Sequence, residues 1–315
     1  MAHSLLFGRL VRRWRGLAAV DRTVWSIEAG LLRAVHGLAA GLPLDAASAL
    51  GARLGRAVGP RLHKQRHARA NYARAFPEAD GERLAALVEA MWANAGRVLA
   101  EFPHVPALAT GRLADRVEIV DAGGLSVARD HPGGVLMVGA HLGNWYVSLA
   151  LARLLGERHV AVFREQTNPY VERLFAAWRR RLPVRFAAVG GAGTVLAREL
   201  RAGRRVGILL DQRYDGGEPV SFFGTPAPTA TPPLRLALRL GAPVVPVETR
   251  RLKGARFRVV VHPPLAVTEV GPPAVRARAL ARLLNRTFED WIRAAPGQWF
   301  CLKRRFPETA KGDGR

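Results

Sequence analysis

From about residue 117 onward, short apolar runs alternate with stretches of helical periodicity, and this alternation limits the possible folds more than any other feature. Strands that are separated by crossover helices pair in parallel, and a parallel sheet needs helices on both of its faces. We therefore predict an α/β fold with a mostly parallel sheet. The predicted strands are residues 135–140, 159–163, 184–189, 205–210, 244–248 and 257–261.

The remaining segments predict helices and a boundary between two regions. Apolar side chains recur at three- and four-residue steps over 83–102, a pattern typical of an amphipathic helix. Asn168 followed by Pro169 is typical of a helix start. We predict an N-terminal helical, membrane-associating region at 1–110, an α/β domain at 111–308 and a disordered tail at 309–315. Within the domain, helices are expected at 145–155, 169–181, after Gly193 and at 274–294.

The chain is strongly basic, with a formal net charge of +23 and only four lysines among its 48 basic residues. GC-rich coding accounts for part of the preference for arginine, but it does not explain why acidic residues are few. A basic surface indicates an anionic partner. We find no zinc-finger spacing, basic heptads or aromatic RNA-binding signature, so an anionic membrane surface is favoured and nucleic acid is not.

The N-terminus supports the membrane interpretation. An arginine-rich segment, 9–15, precedes a mostly apolar stretch at 24–44, which Glu28, Arg33 and His36 interrupt. Charges at the centre of a bilayer cost about 2.5–3.5 kcal/mol each, which argues against a clean span. We predict a helix that lies in the cytoplasmic interface; the alternative is an ordinary amphipathic helix packed on the domain.

Three polar residues stand at the ends of predicted strands. His141, Arg164 and Asp211 each come directly after the last residue of a strand. The ligand crevice of an open α/β sheet lies outside the carboxyl ends of its strands. Each residue alone has an ordinary explanation, as a packed histidine, a surface arginine or a turn cap. Together they predict one shared cleft.

The segment from Gly139 to Trp145 reads GAHLGNW and places His141 at a strand-to-helix turn. Gly143 permits close approach of the backbone, and the amino end of the new helix supplies N–H groups and partial positive charge. Such a turn suits an imidazole that takes a proton from a hydroxyl while nearby donors stabilise an oxyanion. Asn144 is interpreted either as one of those donors or as a cap of the helix.

The His-x-Gly-Asn-Trp pattern after a strand resembles the core motif of the lipid A late acyltransferases, a branch of the lysophospholipid-acyltransferase-like enzymes. Seven further fragments, spread over most of the chain, are similar to that family in type and order. They are Arg69-Ala-Asn71 through Ala75-Phe76-Pro77-Glu78, Met91-Trp92-x-Asn94-x-Gly96-Arg97 through Glu101, Phe163-Arg164 with Asn168-Pro169, Asp211-Gln212, Phe222-Phe223-Gly224, Gly241-Ala-Pro-Val-Val-Pro246 and Gln298-Trp299.

The resemblance implies transfer of a fatty acyl chain from an acyl-carrier-protein thioester to a hydroxyl of a phosphorylated glucosamine lipid, a lipid A precursor. It implies His141 as general base, Arg164 as a clamp on an anionic group, and a place at the cytoplasmic face of the inner membrane. No cofactor and no metal are expected, because the thioester is a substrate. The substrate-binding candidates are Arg164, Asn144, Gly143, Trp145 and Gln212.

The chain departs from the family at one position. The family pairs its histidine with a carboxylate in a His-x4-acid motif, and Tyr146 occupies that place here. In serine proteases, neutralising the orienting acid costs about 10⁴ in turnover. Either another acid replaces it, Asp211 rather than Glu165, or Tyr146 supports slower catalysis, or the chain binds lipid without acylating it. A same-fold enzyme for another glycolipid or a phospholipid is a further alternative.

Overall fold

The computed structural model describes residues 18–188 and 192–307 of the chain, and a seven-stranded sheet forms its centre. The strands are β1 (Val117–Asp121), β2 (Val135–Gly139), β3 (His159–Phe163), β4 (Arg185–Ala188), β5 (Arg205–Leu209), β6 (Glu218–Phe222), β7 (Thr225–Thr229), β8 (Val244–Arg251) and β9 (Phe257–Val261). The spatial order in the large sheet is β1-β9-β8-β2-β5-β3-β4, and β6 pairs with β7 in a separate hairpin.

The pairing is mostly parallel, as predicted from the alternation of strands and helices. Strands β8, β2, β5, β3 and β4 run parallel to one another, and β1 runs parallel to β9. The exception is the pair β8 and β9, which is antiparallel. Only residues 252–256 join them, which is too short for a crossover, and a tight hairpin forms instead.

The β6–β7 hairpin was not predicted. The segment 225–233 is rich in proline and threonine, a composition typical of a loop, yet its first half pairs with β6. Prolines such as Pro226 and Pro228 conceal the strand signal; they are tolerated here because the hairpin has only two strands, both of which are edges. The turn uses Phe223 and Gly224, with φ of 49° and 70°, the left-handed pair that a two-residue hairpin requires.

Eleven α-helices surround the sheet in the described part of the chain. The predicted helix start at Asn168 and Pro169 is present. Asp80 caps the helix Gly81–Glu101, because its carboxylate accepts a hydrogen bond from the Arg83 N–H. The predicted helix 145–155 is a 3-10 helix over Trp145–Leu151 that continues as a short α-helix. The helices are α1 (Ala18–Ala40), α2 (Leu44–Val58), α3 (Gln65–Ala75), α4 (Gly81–Glu101), α5 (Val105–Thr110), α6 (Leu125–Asp130), α7 (Ala152–Leu155), α8 (Pro169–Arg179), α9 (Ala192–Arg201), α10 (Pro232–Arg239) and α11 (Pro273–Ala294).

The sheet is covered on both faces, and each face has its own core. Leu136 and Val138 of β2 pack in a cluster with residues of α9, α10 and α11. Val135 and Met137, on the opposite face of the same strand, pack with the 3-10 helix and with α5–α7. The first of these cores also contains residues of α3 and α4, so the N-terminal helices pack directly on the sheet. The predicted division at residue 110 stays a prediction.

Several predictions fall outside the described residues. These are the arginine-rich segment 9–15 and the tail 309–315. Within 18–188 and 192–307, no helix combines the length and the apolar character needed to cross a bilayer. Glu28, which interrupts the apolar stretch of α1, is 3% exposed and accepts a hydrogen bond from Asn168 at the start of α8. One polar interruption of that helix therefore serves its packing on the domain.

Helices α2 and α4 cross at very short range because glycines face each other. A Cβ at Gly51 would lie 2.4 Å from the Gly96 carbonyl oxygen, and a Cβ at Gly55 would lie 2.1 Å from the Trp92 oxygen. Both distances are far below van der Waals contact with backbone atoms, which cannot move aside without shifting a helix. The crossing therefore requires these glycines, and α4 carries side chains that support the site described below.

Replacing Gly51 by alanine should separate the two helices and destabilise the protein by about 1–3 kcal/mol, the usual cost of overpacking. The matched control is Gly37→Ala in α1, where an added Cβ meets nothing within 4 Å. Helix propensity alone makes the control neutral or stabilising by up to about 1 kcal/mol. Thermal or urea unfolding of the two variants measures the difference, and equal stabilities would contradict the close crossing.

Candidate active site

His141 and Asp211 form a hydrogen-bonded pair at the carboxyl edge of the sheet. The distance from His141 Nδ1 to Asp211 Oδ1 is 2.7 Å. The other carboxylate oxygen accepts a hydrogen bond from Trp299 Nε1 at 3.1 Å. The Asp211 side chain is fully buried, whereas the His141 side chain is 21% exposed. The carboxylate therefore fixes the ring at Nδ1, and the Nε2 edge is the side left free of the carboxylate.

The register of two strands brings the pair together. Gly139 at the end of β2 lies opposite Leu209 at the end of β5. His141 and Asp211 each follow two residues later, so the chain carries them side by side beyond the sheet. The sequence prediction that strand-end residues converge on one cleft agrees with this placement, although the catalytic roles of the residues stay predictions.

The surroundings of Asp211 keep its carboxyl group ionised. Burial acts to raise its pKa, but the charge of a protonated His141 and hydrogen bonds from His141 and Trp299 outweigh burial, and the net effect is a lowered pKa. In neutral imidazole, an Nδ1–H that donates to the carboxylate leaves the lone pair on Nε2. No described residue forms a hydrogen bond with His141 Nε2, so the geometry suits a general base.

A cavity of about 830 Å³ opens in front of the His141 ring. This volume lies in the range of ligand-binding pockets in proteins. Its walls are mostly apolar or aromatic side chains from the sheet, the 3-10 helix, α8 and α10. Arg164 and Gln212, both predicted to bind substrate, line the same cavity. Of the three polar residues predicted at strand ends, His141 and Arg164 line the cavity, and Asp211 is buried against the His141 ring. The three strands that precede them, β2, β5 and β3, are neighbours in the sheet.

Arg164 stands out among the cations of the cavity because it has no ion-pair partner in the described part of the chain. Arg179 pairs with Glu172 and lies over the ring of Phe163. By contrast, Arg164 is exposed, and no carboxylate of residues 18–188 or 192–307 lies within ion-pair distance. A guanidinium without a carboxylate partner is free to form two hydrogen bonds with a phosphate.

Tyr146, at the position where the family has an acid, lies in an aromatic cluster. Its ring is 5.1 Å from that of Phe102 and 5.4 Å from that of Trp178, with edge-to-face geometry in both pairs. Burial raises the pKa of its hydroxyl. No hydrogen bond joins Tyr146 to His141 among the described residues. The tyrosine lines the cavity, and the carboxylate that accepts a hydrogen bond from His141 Nδ1 is that of Asp211.

Asn144 fixes the loop after β2 to α4. Its Nδ2 donates to Glu101 Oε2 at 2.9 Å, and the residue is fully buried. The interpretation of Asn144 as a helix cap is wrong, because its side chain makes no cap hydrogen bond to the 3-10 helix. The side-chain amide of Asn144 is engaged with Glu101, and Asn144 does not line the cavity.

Glu101 is the centre of a buried polar network that sequence reasoning missed as a unit. Both of its carboxylate oxygens accept hydrogen bonds from the Arg251 guanidinium, with Nη2 at 2.9 Å from Oε2, and Ser48 Oγ donates at 2.6 Å. Arg251 Nε also donates to Asn94 Oδ1, and Asn94 Nδ2 donates to the Gly143 carbonyl. The network therefore connects α2, α4 and β8 with the loop that carries His141.

Gly143 is required by this loop. Its φ is +59°, and a Cβ there would lie 2.8 Å from the Thr249 carbonyl oxygen. Its N–H donates to the Gln298 carbonyl at 3.1 Å. The predicted close approach is thus between Gly143 and neighbouring backbone, and this N–H is engaged within the protein.

Two aromatic residues complete the site. Trp145 lies edge-on to the His141 ring at 5.0 Å and stacks on Phe300 at 5.3 Å. Trp299, which donates to Asp211, had been noted only as part of a family-like fragment. No local sequence signal identifies this contact. The neighbouring Gln298 fixes the segment to β8, because its side-chain amide donates to the Arg251 carbonyl oxygen and accepts from the Arg251 N–H.

The described residues contain no cluster of three or more histidine, cysteine, aspartate or glutamate side chains that could hold a metal ion. The lone cysteine, Cys301, is buried beside Asn71, and burial raises its pKa well above the usual range. It accordingly contributes to packing.

Comparisons with known proteins identify relatives of this chain among acyltransferases. A lipid A biosynthesis lauroyltransferase of Escherichia coli (strain K12) is 28% identical over 208 residues, which cover 64% of this chain and 65% of that enzyme, slightly less than two thirds of its length. A phosphatidylinositol mannoside acyltransferase of Mycolicibacterium smegmatis is 26% identical over 223 residues, 69% of this chain and 71% of that enzyme.

A crystal structure of a 1-acyl-sn-glycerophosphate acyltransferase from Thermotoga maritima is similar with a TM-score of 0.37 and 13% identity, over 64% of this chain and 82% of that one. The family model of the bacterial lipid A biosynthesis acyltransferases matches residues 21–308. Since this match covers nearly the whole chain, the protein belongs to the bacterial lipid A biosynthesis acyltransferase family.

Proposed function

We propose that the protein transfers a fatty acyl chain from an acyl-carrier-protein thioester to a hydroxyl of a phosphorylated glycolipid, a lipid A precursor. The observation that carries the proposal is the 2.7 Å hydrogen bond between His141 and Asp211, with the free side of the ring turned to a cavity. Membership of an acyltransferase family supports the reaction type, and the resemblance in sequence supports the donor and the acceptor.

The proposed reaction is a direct transfer. His141 Nε2 takes the proton of the acceptor hydroxyl while the hydroxyl oxygen attacks the thioester carbonyl carbon. When the carbon–sulfur bond breaks, the imidazolium returns the proton to the sulfur, so the products are an ester and a free thiol. Asp211 stays ionised and stabilises the imidazolium during the transfer. In this scheme no residue of the protein forms a covalent bond with the acyl group.

Asp211 is the orienting acid in this proposal, and Tyr146 is a cavity wall. A buried carboxylate hydrogen-bonded to Nδ1 fixes the tautomer and stabilises the charged ring, the role that the acid has in a serine-protease triad. Glu165, the other acid considered, lies on the exposed segment that follows β3. The location of Asp211 also argues against a lipid-binding protein without catalytic activity, because the acid that the motif lacks is supplied from β5.

Cations at the cavity suit a phosphorylated acceptor. Arg164 lacks a carboxylate partner in the described part of the chain, while Arg213 and Lys303 share the single carboxylate of Asp215 at 2.9 Å each. Two cations on one exposed carboxylate leave net positive charge. We propose that these three residues bind the phosphate groups of the acceptor, with Arg164 as the bidentate contact.

A second acceptor class is kept because of one comparison. The relative from Mycolicibacterium smegmatis is named for an acyltransferase of phosphatidylinositol mannoside, which is also an anionic glycolipid. Assays with labelled donor and each of the two acceptors distinguish these possibilities. The acceptor with the higher kcat/KM is the substrate class of this protein.

We further propose that α1 and α2 lie on an anionic membrane at the cytoplasmic face of the inner membrane. On α1, Ile27, Leu31, Val35 and Leu38 recur at three- and four-residue steps and are 41–73% exposed. A stripe of large apolar side chains on a helix that also carries basic residues is typical of interfacial binding. A similar exposed stripe on α2 consists of Leu50, Leu54 and Val58.

Removing either member of the catalytic pair should abolish or greatly slow acyl transfer. His141→Ala is expected to reduce turnover to background. Asp211→Asn should reduce kcat by about 10²–10⁴, because the amide does not stabilise the imidazolium. Initial rates with labelled acyl donor measure both effects.

A second histidine–carboxylate pair in the protein provides the control for these variants. His262 Nε2 lies 3.3 Å from Glu248 Oε2, outside the cavity. His262→Ala should therefore retain wild-type kcat. Full activity of a folded His141→Ala protein would eliminate the proposed mechanism.

Substitutions at Tyr146 test whether this position forms only a wall of the cavity or takes part in orienting His141. Tyr146→Phe should keep most of the activity, because the ring and its contacts with Phe102 and Trp178 are retained. Tyr146→Glu should lose stability by several kcal/mol, since an unpaired carboxylate would enter an aromatic cluster, and it should gain no rate. Unfolding curves and initial rates test this; a faster Tyr146→Glu enzyme would mean that the motif position, and not Asp211, supplies the effective acid.

Charge on the α1 stripe should weaken membrane binding. Leu31→Asp together with Val35→Asp is expected to reduce co-sedimentation with vesicles of phosphatidylglycerol and phosphatidylethanolamine by at least tenfold, because both side chains would leave the apolar layer. The control is Val275→Asp on α11, which is also about half exposed but stands apart from the stripe. Equal binding of both variants would exclude α1 as the membrane-binding surface.

A further inference from the structure

Strands β3 and β5 are less buried than their central positions predict. Both lie in the interior of the sheet, and β2 beside them is buried along its whole length. Yet the last three residues of each strand, 161–163 in β3 and 207–209 in β5, are partly exposed. An interior strand of a sheet with helices on both faces should have no such run.

Three consecutive exposed residues mean that both faces of the sheet are open there, because successive side chains in a strand point to opposite faces. Ala161 and Gly207 belong to one face, and Val162 and Ile208 belong to the other. All four line the cavity in front of His141. The cavity thus has two branches that are separated by the sheet and meet at its carboxyl edge.

The branch on the Ala161 and Gly207 face, here called the α8 branch, runs beneath an aromatic wall. The 3-10 helix provides Tyr146, and α8 provides Phe175 and Trp178. A Cβ at Gly207 would make only ordinary contacts, the nearest at 3.6 Å from His159 Nε2, so larger side chains there would project into the branch.

His159 lines the cavity at the first residue of β3, the opposite end of the strand from Arg164. It pairs in register with Arg205, which pairs with Val135, six positions before His141. At about 3.3 Å per residue, the branch is on the order of 20 Å deep. His159 is 4% exposed, and burial lowers its pKa to about 4, so its ring is uncharged at neutral pH. A deep apolar slot accommodates a chain with a free end.

The branch on the Val162 and Ile208 face, here called the α10 branch, has a different mouth. Its outer wall is formed by Leu196 of α9 and Leu236 of α10. Arg213 and Lys303 also line the cavity and share the carboxylate of Asp215. The neighbouring Tyr214 N–H donates to the Pro228 carbonyl, four residues before α10 begins. An apolar slot that opens beside cations suits a lipid whose acyl chain is attached to a phosphorylated head group.

We propose that the α8 branch binds the acyl chain of the donor and that the α10 branch binds an acyl chain of the phosphorylated acceptor. The two chains would lie on opposite faces of one sheet and meet at His141, where the thioester carbonyl and the hydroxyl must come together. This assignment rests on the proposed function, because that function supplies the two acyl-bearing substrates. It adds where each chain lies and which side chains limit its length.

Adjacent residues of β5 allow each branch to be blocked separately. Gly207→Leu fills the α8 branch and should shift the preferred donor to shorter chains. Each methylene that can no longer be buried costs about fourfold in kcat/KM, since burying one methylene contributes about 0.8 kcal/mol. Ile208→Trp narrows the α10 branch and should raise KM for the acylated acceptor by at least tenfold while the ranking of donors by chain length stays unchanged.

Initial rates are measured with donors of graded chain length and with one phosphorylated glucosamine acceptor. They give the donor chain-length preference and the acceptor KM of each variant. If both variants shift the donor profile in the same way, or if neither profile changes, the two-branch assignment is overturned. Exchanged effects would overturn the assignment of donor and acceptor. Ala161→Leu and Val162→Phe form a second pair on β3 with the same expectations, should a β5 variant fail to fold.

A binding measurement that needs no catalysis distinguishes failure of this inference from failure of the proposed function. A photoreactive fatty acid with its reactive group at the far end is crosslinked to the full-length wild-type protein. Peptides from α8 and from α9–α10 should both be labelled, with Gly207→Leu suppressing the first and Ile208→Trp the second. Labelling confined to one face would overturn the two branches even in an active enzyme, whereas two-sided labelling without transferase activity would refute only the reaction.

Discussion

The buried ion pair between Glu101 and Arg251 is the interaction on which the position of the catalytic candidate depends. A carboxylate with no solvent contact needs its hydrogen bonds from the protein, and Glu101 obtains them from Arg251, Ser48 and Asn144. Removing one partner of such a pair typically costs 3–5 kcal/mol, because the other charge is left without compensation. The same pair fixes α4 against β8 and holds the loop that leads from β2 to the 3-10 helix. The position of His141 therefore depends on contacts between sequence-distant residues as much as on its own strand.

Much of the fold could be predicted from the sequence because its signals are local. Each of the six predicted strands is a short apolar run, and the cap at Asn168 lies next to the helix that it begins. The meeting of His141, Arg164 and Asp211 at one cleft followed from a general property of parallel sheets, that their carboxyl ends share an edge. Asp211 was the acid favoured to replace the missing one, and the structure places it within hydrogen-bond distance of His141.

The features that could not be predicted depend on contacts between distant parts of the chain. Arg251 and Glu101 are 150 residues apart, and neither has a neighbour that identifies its partner. Trp299 belongs to a family-like fragment, but nothing in the sequence indicates that its indole N–H donates to Asp211. The β6–β7 hairpin was hidden by prolines, which are poor strand formers except at unpaired edges. The openness of β3 and β5 is also invisible in sequence, because an apolar residue that lines a cavity and one that fills a core have the same pattern.

The strand register between β2 and β5 limits where insertions and deletions can be tolerated in the chain. The histidine and its acid are not neighbours in one turn; each stands two residues beyond a paired position, Gly139 on one strand and Leu209 on the other. An insertion or deletion of one residue in either short step would displace a side chain by about 3.3 Å and rotate it to the opposite face. Length changes in the surface connections that lie between them in sequence would leave the pair intact. Tolerance to indels should therefore be lowest in two dipeptide intervals, Ala140–His141 and Leu210–Asp211, that look unremarkable in a sequence read alone.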